Sequence, residues 1–270
     1  MKIAKTKSEN TSWDKVAGWY DQLIEGEGTY QRDLILPNLL RLMDIKKDET
    51  VLDLACGQGF FAREFVKSGA RILGVDASGK LIEIAKKRFR ADGLQSQGVV
   101  FKVAQAERLP FIKDGSVDKV AVVLAIQNIE NIVPVFRECA RVLAPDGRLF
   151  LVMNHPAFRI PKESGWGWDE KSGIQYRRID RYLSELKVPI QMHPGADPDR
   201  KTPSFHRPLQ SYFKALHKSG FCVAGLEEWN SHRKSGPGPR ARAEDVARKE
   251  IPLFLCLVAK KAEIHRTAVI

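Results

Sequence analysis

The chain has 270 residues, with 44 Lys plus Arg against 33 Asp plus Glu, a formal charge of +11 at neutral pH and a hydrophobic fraction of 43%. That composition suits one large α/β domain with an insertion, spanning 1–270, and excludes disordered, fibrous and low-complexity chains. No apolar run reaches membrane-spanning length, the N-terminus lacks the apolar block of a secretory signal, and Cys56, Cys139, Cys222 and Cys256 show no CxxC spacing. The expectation is a reducing, cytoplasmic setting with no metal site, no disulfide frame and no membrane span.

The charge is uneven. Residues 1–154 carry 23 basic and 20 acidic side chains, and residues 155–270 carry 21 and 13. Such an excess suits nucleic acid, an anionic surface or a small acidic substrate, and composition does not choose among them.

In chain order, 51–55 reads as a strand and 59–67 as the helix after it; 71–75 is a second strand, and Ser78 caps the next helix. Strands follow at 99–103 and 119–124, the latter apolar enough for burial on both faces. Residues 131–143 are helical and stop at Pro145-Asp146-Gly147, before a fifth strand at 148–154. Residues 155–207 break this alternation with aromatics, basic residues, Gly and Pro, the character of a functional loop. A helix at 209–219 and strands at 221–228 and 252–259 resume the pattern, with a polar loop and a short helix between those strands.

The most informative stretch is VLDLACGQGFFAREFVKSGARILGVDASG, 51–79. Gly57 and Gly59 sit where a strand must turn sharply into a helix and let a ligand approach the backbone. Asp76, closing the second strand, can accept hydrogen bonds from both hydroxyls of a ribose. The glycines also satisfy a dinucleotide fingerprint, and Asp53 discriminates: a carboxylate inside the first strand would repel a pyrophosphate but suits a cation such as a methionine ammonium.

With VLDLACGQG (51–59), GVDAS (74–78), AQAERLPF (104–111), the strand ending Val123-Leu124-Ala125 and ECARVLAPDGRLFLV (138–152), the chain resembles the class I S-adenosylmethionine-dependent methyltransferases, especially the quinone-biosynthesis group. The resemblance covers about 110 contiguous residues. It implies an α/β, Rossmann-like seven-stranded sheet with helices on both faces and its last strand antiparallel. An N-terminal helical cap (1–48) and a cofactor-binding core (49–154) would be followed by a lid insertion between strands five and six (155–207) and the rest of the sheet (208–270). By the same resemblance the cofactor is S-adenosylmethionine, bordered by Gly57 and Gly59, its ribose on Asp76 and its adenine facing Gln105. Ala55, Ala77, Ala106 and Leu124 are further expected contacts. Asp commonly stands where this chain has Gln105, and a Gln amide can still both accept from and donate to adenine. Arg141 and Asp146-Gly147 match too, in a structural role. In such enzymes an N-terminal helix folds over the cofactor, which makes Tyr20 and Tyr30 candidates for its methionine end, where a sulfonium favours aromatic faces; core packing serves either residue equally well.

The acceptor must be read from the lid. Tyr176, Arg177, Arg178, Arg181 and Tyr182 crowd together, and a helix over 176–186 would put Arg177 and Arg181 on one face. These arginines, with Tyr176 and Arg207, could clamp a carboxylate or phosphate, or pair with nearby acids to order the insertion. His206 and His155 are the candidate bases. An Asn/Asp-Pro-Pro-aromatic motif for amino methylation of nucleobases is absent after the fourth strand, and Cys139, the cysteine nearest it, sits within a helix. The expected activity is methyl transfer to an oxygen or nitrogen of a small, anionic or aromatic molecule. An RNA methyltransferase, or a cofactor-binding regulator without catalysis, are the alternatives.

Overall fold

Val, Ile and Leu dominate the strands because both faces of the sheet are covered. The computed structural model describes residues 12–15, 17–18, 26–94, 98–191 and 201–262. Its first five strands are β1 (Thr50–Leu54), β2 (Arg71–Asp76), β3 (Val99–Val103), β4 (Val117–Val123) and β5 (Leu143–Asn154). Four more make two hairpins: β6 (Ser164–Asp169) with β7 (Ile174–Ile179), and β8 (Leu186–Gln191) with β9 (Lys201–His206). Then come β10 (Phe221–Trp229) and β11 (Phe254–Lys261). The main sheet has seven strands in the order β10-β11-β5-β4-β1-β2-β3, and only β11 opposes its neighbours.

The helices are α1 (Leu36–Met43), α2 (Phe60–Phe65), α3 (Gly79–Ala91), α4 (Ile132–Val142), α5 (Leu209–Lys218) and α6 (Ala241–Glu250). Alternation along the strands divides the core. Val51, Ile72, Phe150 and Val152 face α1, α2 and α3 through Leu39, Phe65, Ile82 and Phe89. Leu52, Leu54, Val120 and Leu149 face α4 and α5 through Phe136 and Leu216. Each fully buried side chain of this size stabilises by roughly 1.5–3 kcal/mol. Asp53, between Leu52 and Leu54, is thereby directed to the α2 side, where it is buried.

Local chemistry sets the element ends. Ser78 accepts the Leu81 N–H at 3.2 Å and so caps α3. α4 buries Ile132, Val135, Phe136, Cys139 and Val142, a helical stripe. Arg141, in its last turn, bonds Glu138, Asp114 and the carbonyls of Leu109 and Ile112, a structural role.

The helix considered for 176–186 does not form. Trp166 and Trp168 alternate with Gly165 and Gly167, a period-two pattern, and Gly173 at φ 66° closes the turn into β7. Tyr176 lies over Gly167, where an added Cβ would stand 2.3 Å from the ring Cζ. Arg177 and Arg178 consequently lie on opposite faces of a hairpin. β7 packs against α6, and β9 against both the turn after β4 and residues 12–15.

Candidate functional site

Strand order reverses between β1 and β4, and a crevice opens there beyond the carboxyl ends of the strands. A cavity of about 310 Å³ fills it, the size of a small-molecule site. The loops after β1, β2, β3 and β4 make its walls, Phe60 and Phe61 join from α2, and Ser12 and Trp13 from the N-terminal segment.

Backbone strain marks both strand ends. Ala55 and Gly57 have φ of 59° and 56°, and Leu124, at the end of β4, has φ 53°. A non-glycine residue there costs about 1–3 kcal/mol and persists where its surroundings impose it. At Leu124 they do: its N–H donates to Val152 O at 2.8 Å, and its carbonyl accepts from Gln127 Nε2 at 2.9 Å. Gly59, at φ 80°, caps α2, and a Cβ there would touch Phe101, Ala85 and Phe89 at 3.2–3.3 Å. Close packing of the loop against β3 and α3 therefore needs glycine.

Two carboxylates face the cavity. Asp76 Oδ2 accepts the Gly57 N–H at 2.9 Å and Oδ1 the Ser78 N–H at 2.8 Å, which fixes its plane. Burial pushes its pKa up, against those bonds. Asp53 Oδ2 accepts the Ala62 N–H at 3.1 Å. Burial, reinforced by the charge of Asp76, raises Asp53 to about 7. Glu107 and Glu130 add two more acids, and no Lys, Arg or His lies among the described lining residues. Gln58 is buried on this wall and its Nε2 has no partner among the described residues. Asp14 reaches across to accept from Ser78 Oγ at 2.6 Å, drawing the N-terminal segment onto the start of α3.

Of the residues singled out by sequence, Asp53, Ala55, Gly57, Asp76, Ala77, Gln105, Ala106 and Leu124 line this one cavity. Gly59 stands behind the wall. Tyr20 lies outside the described residues. Tyr30 is off the wall: its hydroxyl meets Ser231 Oγ at 3.0 Å and its ring packs edge-on to Phe254. Trp13, Gln58, Glu107, Asn128, Ile129 and Glu130 are wall residues not picked out for the site; for Gln58 and Glu107, adjacency to Gly57 and Gln105 was the available signal.

The lid residues are placed differently. Among the described residues of 155–207 none lines the cavity. His155 is buried with both ring nitrogens engaged: Nδ1 accepts from the Ala157 and Phe158 N–H groups, and Nε2 meets Glu228 at 2.7 Å. Burial keeps its pKa below the usual imidazole range, against the pull of Glu228. His206 donates from Nε2 to Tyr182 O at 2.8 Å and is also lowered by burial. Neither lines the cavity. Tyr176 and Arg178 are exposed, Arg178 beside Asp180, and Arg181 reaches Glu163 only at 3.9 Å. Arg177 donates to Phe158 O and Ser164 Oγ. Arg207 is buried and donates to the carbonyls of Ile129 and Glu130, bracing the cavity wall from behind.

The sheet order, the switch-point cavity and the acid closing β2 define a nucleoside-binding α/β protein. Residues 52–151 match a family model described as a methyltransferase domain. The chain is 36% identical over 146 residues to a demethylmenaquinone methyltransferase of Thermotoga maritima, covering 52% of this chain and 58% of that protein. A demethylmenaquinone methyltransferase of Lactococcus lactis is 29% identical over 156 residues, 56% of this chain and 61% of the relative. The crystal structure of an S-adenosylmethionine-dependent methyltransferase from Mesorhizobium loti superposes with a TM-score of 0.64 at 28% identity, covering 83% of this chain and 96% of that one. The chain thus spans about three-fifths or less of the length of these curated relatives.

Residues 52–151 thus carry a methyltransferase domain that uses S-adenosylmethionine, and the chain is similar to class I methyltransferases, those of quinone biosynthesis among them. The wall fits that cofactor. A plane-fixed carboxylate at Asp76 suits ribose hydroxyls, the acidic lining around Asp53 suits a cationic methionine end, and the unpartnered Gln58 amide awaits an acceptor. Ala104, Ala106 and Leu81 offer apolar contact to a base.

Proposed function

We propose that the protein transfers a methyl group from S-adenosylmethionine to an oxygen or nitrogen of a small, anionic or aromatic molecule. The observation that carries this is the convergence of Asp53, buried, and Asp76, partly buried, both without a cationic partner among the described wall residues, on one switch-point cavity. Asp76 and Gln105 would hold the nucleoside and Asp53 the amino acid end. The bound cofactor supplies an electrophilic methyl on a sulfonium. The chain contributes orientation and exclusion of water, which carry much of the rate for an in-line displacement. Trp13, Phe60 and Phe61 supply aromatic surface, and Asn128 and Glu130 polar groups, on the remaining wall where an acceptor would stand. Relatives named for demethylmenaquinone take a ring-bearing acceptor, which agrees with the aromatic class.

The test is turnover with methyl-labelled S-adenosylmethionine against phenols, aromatic amines and their carboxylated forms. Label in an acceptor, lost in Asp76→Ala, is the expected result. Tight cofactor binding with no label transferred to any of them would overturn the catalytic reading.

A further inference from the structure

Arg159 lies on the turn that follows β5, away from the cavity wall. Its guanidinium sits over the Phe254 ring, 5.0 Å from the centroid, and Tyr30 packs edge-on to the same ring at 5.5 Å. Among the described residues its side chain has no hydrogen-bond acceptor and no carboxylate partner. Burial holds its pKa below the usual arginine range; the Tyr30 hydroxyl opposes that shift and the nearby Arg177 guanidinium adds to it.

Arg177 is fixed in place. Nε donates to Phe158 O at 2.7 Å, Nη2 to Ser164 Oγ at 2.9 Å, and the plane lies against Trp166. Its Nη1 has no partner among the described residues. Among the described residues no carboxylate pairs with either guanidinium: Glu228 is bonded to His155, and Glu163 stands 3.9 Å from Arg181. The Nε bond of Arg177 to the carbonyl of Phe158, the residue before Arg159, brings the two arginines together; partly buried and without a carboxylate among the described residues, they repel, and an oxyanion would relieve that repulsion while accepting from both.

We propose that Arg159 and Arg177 form an oxyanion site that takes the carboxylate or phosphate end of the methyl acceptor, with Phe254 as its floor and the Tyr30 hydroxyl at its side. This rests on the methyltransferase reading and narrows its acceptor class to an anion. The topology supports the link. Phe254 pairs with Asn154 at the carboxyl end of β5, and Leu124 of the cavity wall bonds Val152 two residues earlier. With β5 between β4 and β11, two strand spacings put Phe254 about 10 Å from Leu124. A ring with a short acidic substituent spans that distance.

Calorimetry with benzoate, phenyl phosphate, inorganic phosphate and neutral benzamide, with and without adenosylhomocysteine, tests it. The expected result is one site that binds at least one of the aromatic anions tenfold or more tighter than benzamide. Arg159→Met should weaken that binding at least tenfold, Arg159→Lys less, and the adenosylhomocysteine affinity of Arg159→Met should stay at the wild-type value, which also shows that the variant folds. No binding of either aromatic anion, equal binding of benzoate and benzamide, or anion binding indifferent to Arg159→Met would overturn the site. Inorganic phosphate binding as tightly as phenyl phosphate would overturn the link to an acceptor. Should adenosylhomocysteine fail to bind while anion binding still depends on Arg159, the methyltransferase reading falls and the oxyanion site stands without it.

Discussion

The carboxyl end of the sheet around Gly57 and the hairpins of 155–207 both carry ionisable side chains, but they use them in opposite ways. At that end of the sheet, Asp53 is buried and Asp76 partly buried, both held by backbone N–H groups and left without a counter-charge among the described residues of an open cavity. In the hairpins, Arg178 and Arg181 sit beside acids at the surface, and Arg207 is bound by two carbonyls. Charge density alone therefore does not mark a site. A charge held by the fold and left uncompensated does, and in the second region Arg159 and Arg177 meet that description.

The sharpest break of that contrast is Asp76→Ala. Removing an acceptor poised for two hydroxyls should weaken adenosylhomocysteine binding at least about 100-fold, about 3 kcal/mol, in calorimetry. Wild-type affinity in that variant would put the nucleoside elsewhere.

Next comes the pH dependence set by Asp53, whose carboxyl is raised to about 7 from 3.8 by burial and by Asp76. Between those values the folded chain holds a proton that the unfolded chain has released. The stability Asp53 contributes is complete below about pH 4 and is lost as pH rises through 7. Urea unfolding without cofactor, compared between wild type and Asp53→Asn from pH 4 to 8, should show the difference growing with pH. Parallel profiles would contradict it.

Arg207→Met leaves two carbonyls behind the cavity wall without their donor and should cost about 1–3 kcal/mol in urea unfolding. Gly59→Ala places a side chain at φ 80° against Phe101 and should cost about 1–2 kcal/mol. Arg178→Ala, at an exposed pair, should stay within about 0.5 kcal/mol. If Arg178 proved as costly as Arg207, the contrast between the two regions would be lost.

The two regions also differ in how far they can be read from sequence. β1 to β4 lie within two residues of the strands expected from apolar runs, because burial on both faces and the Ser78 cap act locally; β5 begins at Leu143, ahead of the expected 148, and runs through Pro145–Gly147 where a turn was expected. The eight wall residues near Gly57, Asp76, Gln105 and Leu124 were legible since the strand ends that carry them converge in any sheet of this order. The arginine-rich stretch was read at helical spacing, whereas the Trp-Gly alternation opposite it carried the period-two signal that governs. His155 and His206 could not be judged at all, because Glu228 and Tyr182, which engage them, are far away in sequence. Trp13 meets the cavity through a contact of Asp14 with Ser78 that no local pattern encodes.

The most direct measurement is titration of the wild-type chain and Asp76→Ala with adenosylhomocysteine. One molecule bound per chain, with affinity lost in the variant, is the result this account predicts. No binding to the wild-type chain, or equal binding to both, would contradict it.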